Sequence, residues 1–392
     1  MKNQALATML AGLFLFNAPA HSETSIGVIS YWSVDSGAYA KLPDNSVALV
    51  NPDNGIFVSA GQTTTLSPAA PGYKPVVKAA ALRDITMLGY VPTGYFNHGC
   101  DAIGQCQTWG RIEAQVRTYF QTYPRLTGIF FDEAAPSNWD CHAFVAEYQR
   151  LRDIVYRHNP RATIAFNAGV PDNCAVAGAE AGDILVLFEN SAEAYAAQAN
   201  NVAVSTMTAL SKGVTPWHLI HSVRSEAALS AVVDQAASTH VDLLYVTDIG
   251  GDWQNGDNTW GSLPSYWDQE LALIDGLALR NLPPCSAFPA TTDLVMKVNW
   301  EDISKFGYLY LQARDGHGRT LDFDGRAWSV YRGGAPAVFG SQALTGALRI
   351  DNSVLQQAMG ALPAGVRGVS VSYAATDALD ERRGRTRVCK GR

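Results

Sequence analysis

Four acidic residues follow directly on short apolar runs: Asp132 and Glu133 after 128–131, Glu189 after 184–188, and Asp248 after 243–247. A carboxylate at the end of an apolar strand stands at the rim of a sheet, where substrate can reach it. Two carboxylates on opposite sides of one bond can cleave a glycoside: one protonates the leaving oxygen while the other attacks carbon or activates water. Asp132 or Glu133, set against Glu189, would supply such a pair. Side chains alternate along a strand, so Asp132 shares the face of Phe130 and Glu133 that of Phe131. Taken singly, each acid reads as well as the cap of a following helix, and it is their coincidence at the ends of two apolar runs that points to chemistry. Asp248 reads equally as a third acid or as a loop cap.

Other chemistries find little support. His218 and His221 lie three apart on one run, so a strand turns them to opposite faces and joint metal ligation is not expected; His221 is a candidate to hold substrate and His218 reads as structural. The sequence has no HExxH, GxSxG, GxGxxG, P-loop or CxxC pattern, so no metal and no cofactor is expected. Asp322-x-Asp324-Gly325 lacks the later Glu of a calcium loop and reads as a turn. The formal charge is −7 and no Lys/Arg run exceeds two residues, which argues against nucleic acid as a partner.

The acids must be positioned by something, and the runs that precede them belong to a repeat. Apolar runs at 26–31, 46–50, 85–90, 128–131, 163–166, 184–188, 218–222 and 243–247 alternate with amphipathic stretches. The clearest stretch is 142–158, where Phe144, Tyr148, Leu151 and Val155 recur at helical spacing before Pro160. Eight β-then-α units predict an α/β fold, a (β/α)8 TIM-type barrel, over 21–284. After Pro283-Pro284 the texture becomes short β-rich runs separated by Gly, Asp and Asn, which predicts a smaller, mostly-β domain over 285–392.

Residues 1–20 combine Lys2, an apolar stretch and Ala18-Pro19-Ala20, the pattern of a secretory signal peptide; a secreted, periplasmic or cell-envelope monomer with no membrane span is expected. In an oxidising compartment the six cysteines should pair, and Cys100 with Cys106, Cys141 with Cys174 and Cys285 with Cys389 are the expected bridges. At the strand ends, Tyr31, Asn51, Tyr90, Asn167, His221 and Asp248 are candidates to hold substrate. Trp32, Tyr95, Trp253, Trp260, Tyr266 and Trp267 are candidates for stacking on sugar rings, though each alone reads more readily as packing.

In order along the chain, Asn51-Pro-Asp-Asn-Gly55, Leu88-Gly-Tyr-Val-Pro-Thr-Gly-Tyr95, Gly128-Ile-Phe-Phe-Asp-Glu133, Phe188-Glu-Asn190, Val246-Thr-Asp248 and Leu263-Pro-Ser-Tyr-Trp267 resemble the spherulin 4-like family over roughly 25–270. The resemblance implies a secreted (β/α)8 glycoside hydrolase acting on α-1,4-linked galactosamine or N-acetylgalactosamine exopolysaccharide, of the fungal galactosaminogalactan and bacterial Pel type. It carries the acids onto Asp132, Glu133 and Glu189. The chain departs from the pattern at Pro92, where relatives tend to have His, at Asn167-Ala168-Gly169 in place of Asn-Pro-Gly, and in the cysteine-containing loop 97–106. For an α-linked substrate the expected route is retention, with Asp132 as nucleophile, Glu189 as acid/base and Glu133 tuning the pair or holding substrate. Substrate assistance by an N-acetyl group and inversion stay open. The rival class is a non-catalytic polysaccharide-binding or cell-surface structural protein on the same barrel.

Overall fold

The computed structural model describes residues 24–60, 63–97, 107–251, 258–281, 284–287, 294–298, 302–315, 319–332, 336–345, 347–377, 379 and 383–390. The expected signal peptide, the Cys100–Cys106 bridge and Trp253 lie outside them.

Among the described residues the first unit is an eight-stranded parallel sheet wound into a barrel. Its strands are β1 (Ser25–Ile26), β2 (Val47–Val50), β5 (Thr86–Pro92), β6 (Gly128–Asp132), β7 (Thr163–Asn167), β8 (Ile184–Ser191), β9 (Thr215–His221) and β10 (Leu243–Val246). A hairpin of β3 (Phe57–Ala60) and β4 (Thr63–Leu66) follows β2. The helices are α1 (Tyr73–Ala81), α2 (Trp109–Thr122), α3 (Cys141–His158), α4 (Asn173–Gly178), α5 (Ala192–Ala197), α6 (Ala199–Ser211), α7 (Glu226–Ser238) and α8 (Trp267–Asn281). Hydrogen-bonded neighbours run β1-β10-β9-β8-β7-β6-β5-β2, and a parallel bridge from Gly27 to Val47 brings the two ends together. The first strand is shorter than the apolar run 26–31. Beyond the bridge Ser30 Oγ accepts the Leu49 N–H at 2.7 Å and donates to the Leu49 carbonyl at 2.9 Å, so a side chain takes over the ladder there.

Alternation sorts the strand side chains into lumen and helix layers. In the lumen Phe130 stacks with Tyr90 at 6.0 Å and meets Trp217 edge-on at 5.8 Å. On the outside Phe131 stacks with Phe166 at 5.9 Å, and Phe166 lies flat against Tyr148 of α3 at 3.9 Å. Gly128 has no alternative at its position, because a Cβ there would lie 1.8 Å from the Thr163 carbonyl oxygen. Buried Arg152 of α3 ties the outer layer to β8: its Nε donates to Asp183 Oδ2 at 3.1 Å and its Nη2 to the Gly178 carbonyl at 2.7 Å. Cys141 and Cys174 are bridged, joining the starts of α3 and α4.

The second unit is mostly β, as its sequence texture predicts. It comprises β11 (Leu294–Lys297), β12 (Phe306–Asp315), β13 (Thr320–Phe323), β14 (Trp328–Val330), β15 (Gly340–Ala343), β16 (Ala347–Ile350), α9 (Asn352–Gly360), β17 (Val366–Ala375) and β18 (Arg383–Lys390). Its antiparallel sheet runs β14-β13-β12-β17-β18, with β15 also on β12. Leu309, Leu311, Phe323, Leu355, Val371 and Tyr373 are buried in a core of their own, and the Cys285–Cys389 bridge closes the unit. No helix among the described residues is long and apolar enough to cross a membrane.

Candidate active site

Asp132 closes β6 with the parity of Phe130, so it points into the lumen at the carboxyl end of the barrel, where such folds gather their loops. Its Oδ2 accepts hydrogen bonds from Tyr90 at 2.6 Å and Tyr31 at 3.4 Å, and its Oδ1 from Asn167 Nδ2 at 2.7 Å. Burial, followed by the facing carboxylates, raises both phenols well above their ordinary value, so both remain donors across the neutral range.

Glu189 reaches the same space through a distortion. Val186 pairs with Trp217 and Phe188 with His218, leaving Leu187 as an extra residue between them. Trp217 faces the lumen and His218 the helices, so the bulge reverses the alternation, and Glu189, opposite Leu219, turns inward. Without it Glu189 would share the outward face. The distorted segment is braced by Glu189 N–H to the Gly169 carbonyl at 3.0 Å and Gly169 N–H to the Val186 carbonyl at 3.3 Å.

Asn167 Nδ2 also donates to Glu189 Oε2, at 2.6 Å. One amide nitrogen therefore bridges the two acids, and their bridged oxygens lie no farther apart than the two bonds laid end to end, about 5.3 Å. The other Glu189 oxygen accepts the Trp260 indole N–H at 2.9 Å. Burial and then the Asp132 charge push the Glu189 carboxyl up to about 7, while the bonds from Asn167 and Trp260 pull it down.

Glu133 leaves the strand in a left-handed conformation, φ 54°. Its Oε2 accepts the Gly94 N–H at 2.9 Å and its carbonyl accepts the Thr93 hydroxyl at 2.7 Å. Glu133 thus holds the loop after β5, in which Tyr95 and Phe96 also have positive φ, 53° and 55°. Phe96 stacks on Trp109 at 6.1 Å and the Arg150 guanidinium sits 4.0 Å over the Trp109 ring. Anchored this way, Tyr95 remains 51% exposed, and burial together with Glu133, Asp132 and Glu189 raises its phenol.

The remaining candidates divide. His221 ends β9, with Nδ1 2.9 Å from the Ser222 hydroxyl and its ring edge-on to Trp260 at 6.1 Å; burial lowers its proton affinity, so it is neutral at neutral pH. Asn51 Oδ1 accepts the Gly55 N–H at 2.9 Å and closes its own loop. Asp248 accepts both the backbone N–H and the hydroxyl of Ser265. Trp32, Tyr266 and Trp267 are packed into the core, and the Trp267 indole donates to the Lys41 carbonyl at 3.3 Å. A sugar-stacking role for these three meets no open ring face. His218 faces outward, opposite to His221 as alternation predicts, with its ring nitrogens 2.9 Å from the Tyr195 and Thr206 hydroxyls. The indole bond to Glu189 is the feature that sequence reading missed, since 71 residues separate its ends and no spacing announces it. Among the described residues no group of three or more His, Cys, Asp or Glu is arranged to hold a metal ion.

Three kinds of comparison bear on this chain. Solved structures similar to it include the catalytic domain of the major endoglucanase of Xanthomonas campestris pv. campestris, with a TM-score of 0.40 and 13% identity, covering 66% of this chain and 94% of that one. A family 5 xyloglucanase of Paenibacillus pabuli scores 0.40 at 9% identity, covering 66% and 98%. Methylaspartate ammonia lyase of Citrobacter amalonaticus, a different chemistry, scores 0.38 at 8%, covering 66% and 58%. At these values nothing about this chain follows from them. Spherulin-4 of Physarum polycephalum is 26% identical over 246 residues, which is 61% of this chain and 64% of that protein's length. The model of spherulation-specific family 4 matches residues 24–274, the whole described barrel up to the middle of α8, and the chain belongs to that family.

Proposed function

We propose that this chain is a retaining, endo-acting glycoside hydrolase that cleaves α-1,4-linked galactosamine or N-acetylgalactosamine exopolysaccharide outside the cytoplasm. The observation that carries the mechanism is the shared Asn167 amide. It keeps one pair of Asp132 and Glu189 oxygens no farther apart than about 5.3 Å, which is short of the roughly 6.5–9.5 Å that leaves room for water in inverting pairs and favours the closer spacing of retaining ones, about 5–5.5 Å. Two disulfides among the described residues suit an oxidising compartment and the signal-like residues 1–20.

In this reading Glu189, raised to about 7, enters protonated and gives its proton to the glycosidic oxygen as the bond to the anomeric carbon breaks. An Asp132 oxygen forms the new bond to that carbon. Glu189, now a carboxylate, then takes a proton from water, whose oxygen attacks the same carbon and releases Asp132, so that two inversions return the original anomer. Tyr31, Tyr90 and Asn167 hold the Asp132 carboxylate in place. Tyr95 offers an exposed ring beside the acids, and His221 lies at the same opening. Glu133 supports the Tyr95 loop and tunes the pair.

The test is purified protein on defined galactosaminoglycan and other amino-sugar polymers, with the anomer of the first product read by NMR. Asp132→Asn and Glu189→Gln should each lower turnover by several orders of magnitude with the fold intact, and the double variant should be little worse than either. An activated leaving group should partly rescue Glu189→Gln and not Asp132→Asn. Near wild-type turnover in Asp132→Asn removes the assignment; binding without turnover by the wild-type protein on every polymer would favour the non-catalytic alternative.

A further inference from the structure

The segment that follows β10 delivers one side chain to the candidate acid and is itself held at several points. Asn258 Oδ1 accepts the Trp260 backbone N–H at 3.1 Å, and the Gly261 N–H donates to the Asn258 carbonyl at 3.2 Å. The Tyr245 hydroxyl donates to the Ser262 carbonyl at 3.3 Å. Farther along, Ser265 donates twice to Asp248, its N–H to Oδ1 at 3.1 Å and its hydroxyl to Oδ2. Between these anchors Trp260 is buried against Tyr245, ring centroids 5.7 Å apart, with its indole N–H on Glu189 Oε1 at 2.9 Å.

An indole nitrogen is a donor only. It can bind a lone pair of the Glu189 carboxyl, and it can never take that group's proton. The second carboxyl oxygen is bound by Asn167, so donors from two elements hold both oxygens and set the plane of the carboxyl. The Asp132 carboxylate accepts bonds from Tyr31, Tyr90 and the same Asn167 amide, which leaves Trp260 as the contact among these that acts on Glu189 without also acting on Asp132.

Resting on the reading of Glu189 as acid/base, we propose that Trp260 is a positioning residue that orients the Glu189 carboxyl and eases departure of its proton, and that Asp248, through Ser265, is the clamp that keeps the indole in place. A hydrogen bond to the charged form stabilises that form, so the indole opposes burial and the Asp132 charge, which together raise Glu189. The titratable groups that face Glu189 are Asp132 on β6, Tyr31 after β1 and Tyr95 after β5. His221 on β9 faces the Trp260 ring, and burial lowers its proton affinity. Asp248, which the sequence left divided between a third acid and a loop cap, becomes a support that acts at a distance.

The experiment uses the whole chain with its glutamate side chains labelled with 13C at the carboxyl, the Glu189 signal being identified by its loss in Glu189→Gln. Titration by NMR reads the carboxyl without any need for turnover, and the pH profile of kcat/KM is recorded beside it. Trp260→Phe keeps an aromatic ring and removes the donor. The Glu189 midpoint should move up by about one pH unit, and the basic limb of kcat/KM should move up with it, because the acid is then protonated to higher pH. Ser265→Ala, at an exposed position that leaves Trp260 in the chain, should move both in the same direction by a smaller step. An unmoved midpoint in a folded Trp260→Phe overturns the proposal, whatever happens to thermal stability; if that variant does not fold, an unmoved midpoint in Ser265→Ala overturns it. A wild-type protein inactive on every polymer would remove the hydrolase reading while the NMR midpoint still decides the role of the indole.

Discussion

Replacing Glu189 by Gln should alter stability in a way that depends on pH, and the size of the effect follows from the environment of this one carboxyl. Its ordinary value of 4.5 is raised to about 7 in the folded protein, by burial first and by the Asp132 charge second. Between those values the folded state keeps a proton that the unfolded state has released. The stabilising contribution is therefore present in full below about 4.5 and lost as pH rises through about 7. From about pH 5 to about pH 8 the loss is about 2.5 kcal/mol by linkage, or about 2 kcal/mol once the partial exposure of the side chain is allowed for. A Gln has no such dependence. It does bring a fixed penalty of about 1–3 kcal/mol, since its amide must turn a donor toward the donors of Trp260 or Asn167. That penalty is the same at both pH values and cancels in the comparison. Urea unfolding of both proteins near pH 5 and near pH 8, disulfides intact and followed by tryptophan fluorescence, measures the four stabilities required. The variant should gain about 2 kcal/mol on the wild type between the lower and the higher pH. An equal gap at the two pH values would refute the reasoning, since a carboxyl with that surrounding could not then be raised.

Arg152→Met removes the partner of Asp183, whose carboxyl burial already raises, and should cost about 3–5 kcal/mol in thermal or chemical unfolding; a loss below about 1 kcal/mol would show that water reaches the pair. His218→Leu takes the ring nitrogens away from the buried Tyr195 and Thr206 hydroxyls and should cost about 1–3 kcal/mol near neutral pH. Because burial lowers His218 to about 3 while the unfolded imidazole takes up a proton near its ordinary 6.5, the wild type loses stability as pH falls and the leucine variant does not. The cost should therefore be smaller near about pH 5 than near about pH 8 by about 2 kcal/mol, and an equal cost at the two would contradict a neutral buried ring. Ending the chain after residue 282 should leave a barrel that unfolds cooperatively, because the Pro284–Lys390 bridge and the Cys285–Cys389 disulfide tie the segment beyond it to the β unit; loss of cooperative unfolding would show that the proposed boundary at 284 is misplaced.

The barrel was legible in the amino-acid order because its signal is local. Each strand is an apolar run, each run is followed by a helical period, and the repeat needs no knowledge of what touches what. The positions of the acids at the run ends and the opposite faces of His218 and His221 came from the same level, while the pairings of Cys141 with Cys174 and Cys285 with Cys389 followed from the order of loops and domains. The face of each acid did not. Plain alternation puts Glu189 on the side of Leu185 and Leu187, and only the bulge against β9 turns it into the lumen beside Asp132. Glu133 follows Asp132 directly, yet its left-handed backbone sends it to Gly94 and the Tyr95 loop. The amide of Asn167 binds acids 35 and 22 residues away, and Trp260 finds Glu189 across 71. Such contacts are decided by strand register and loop closure, which depend on the whole ring of strands meeting, so no window of sequence contains them.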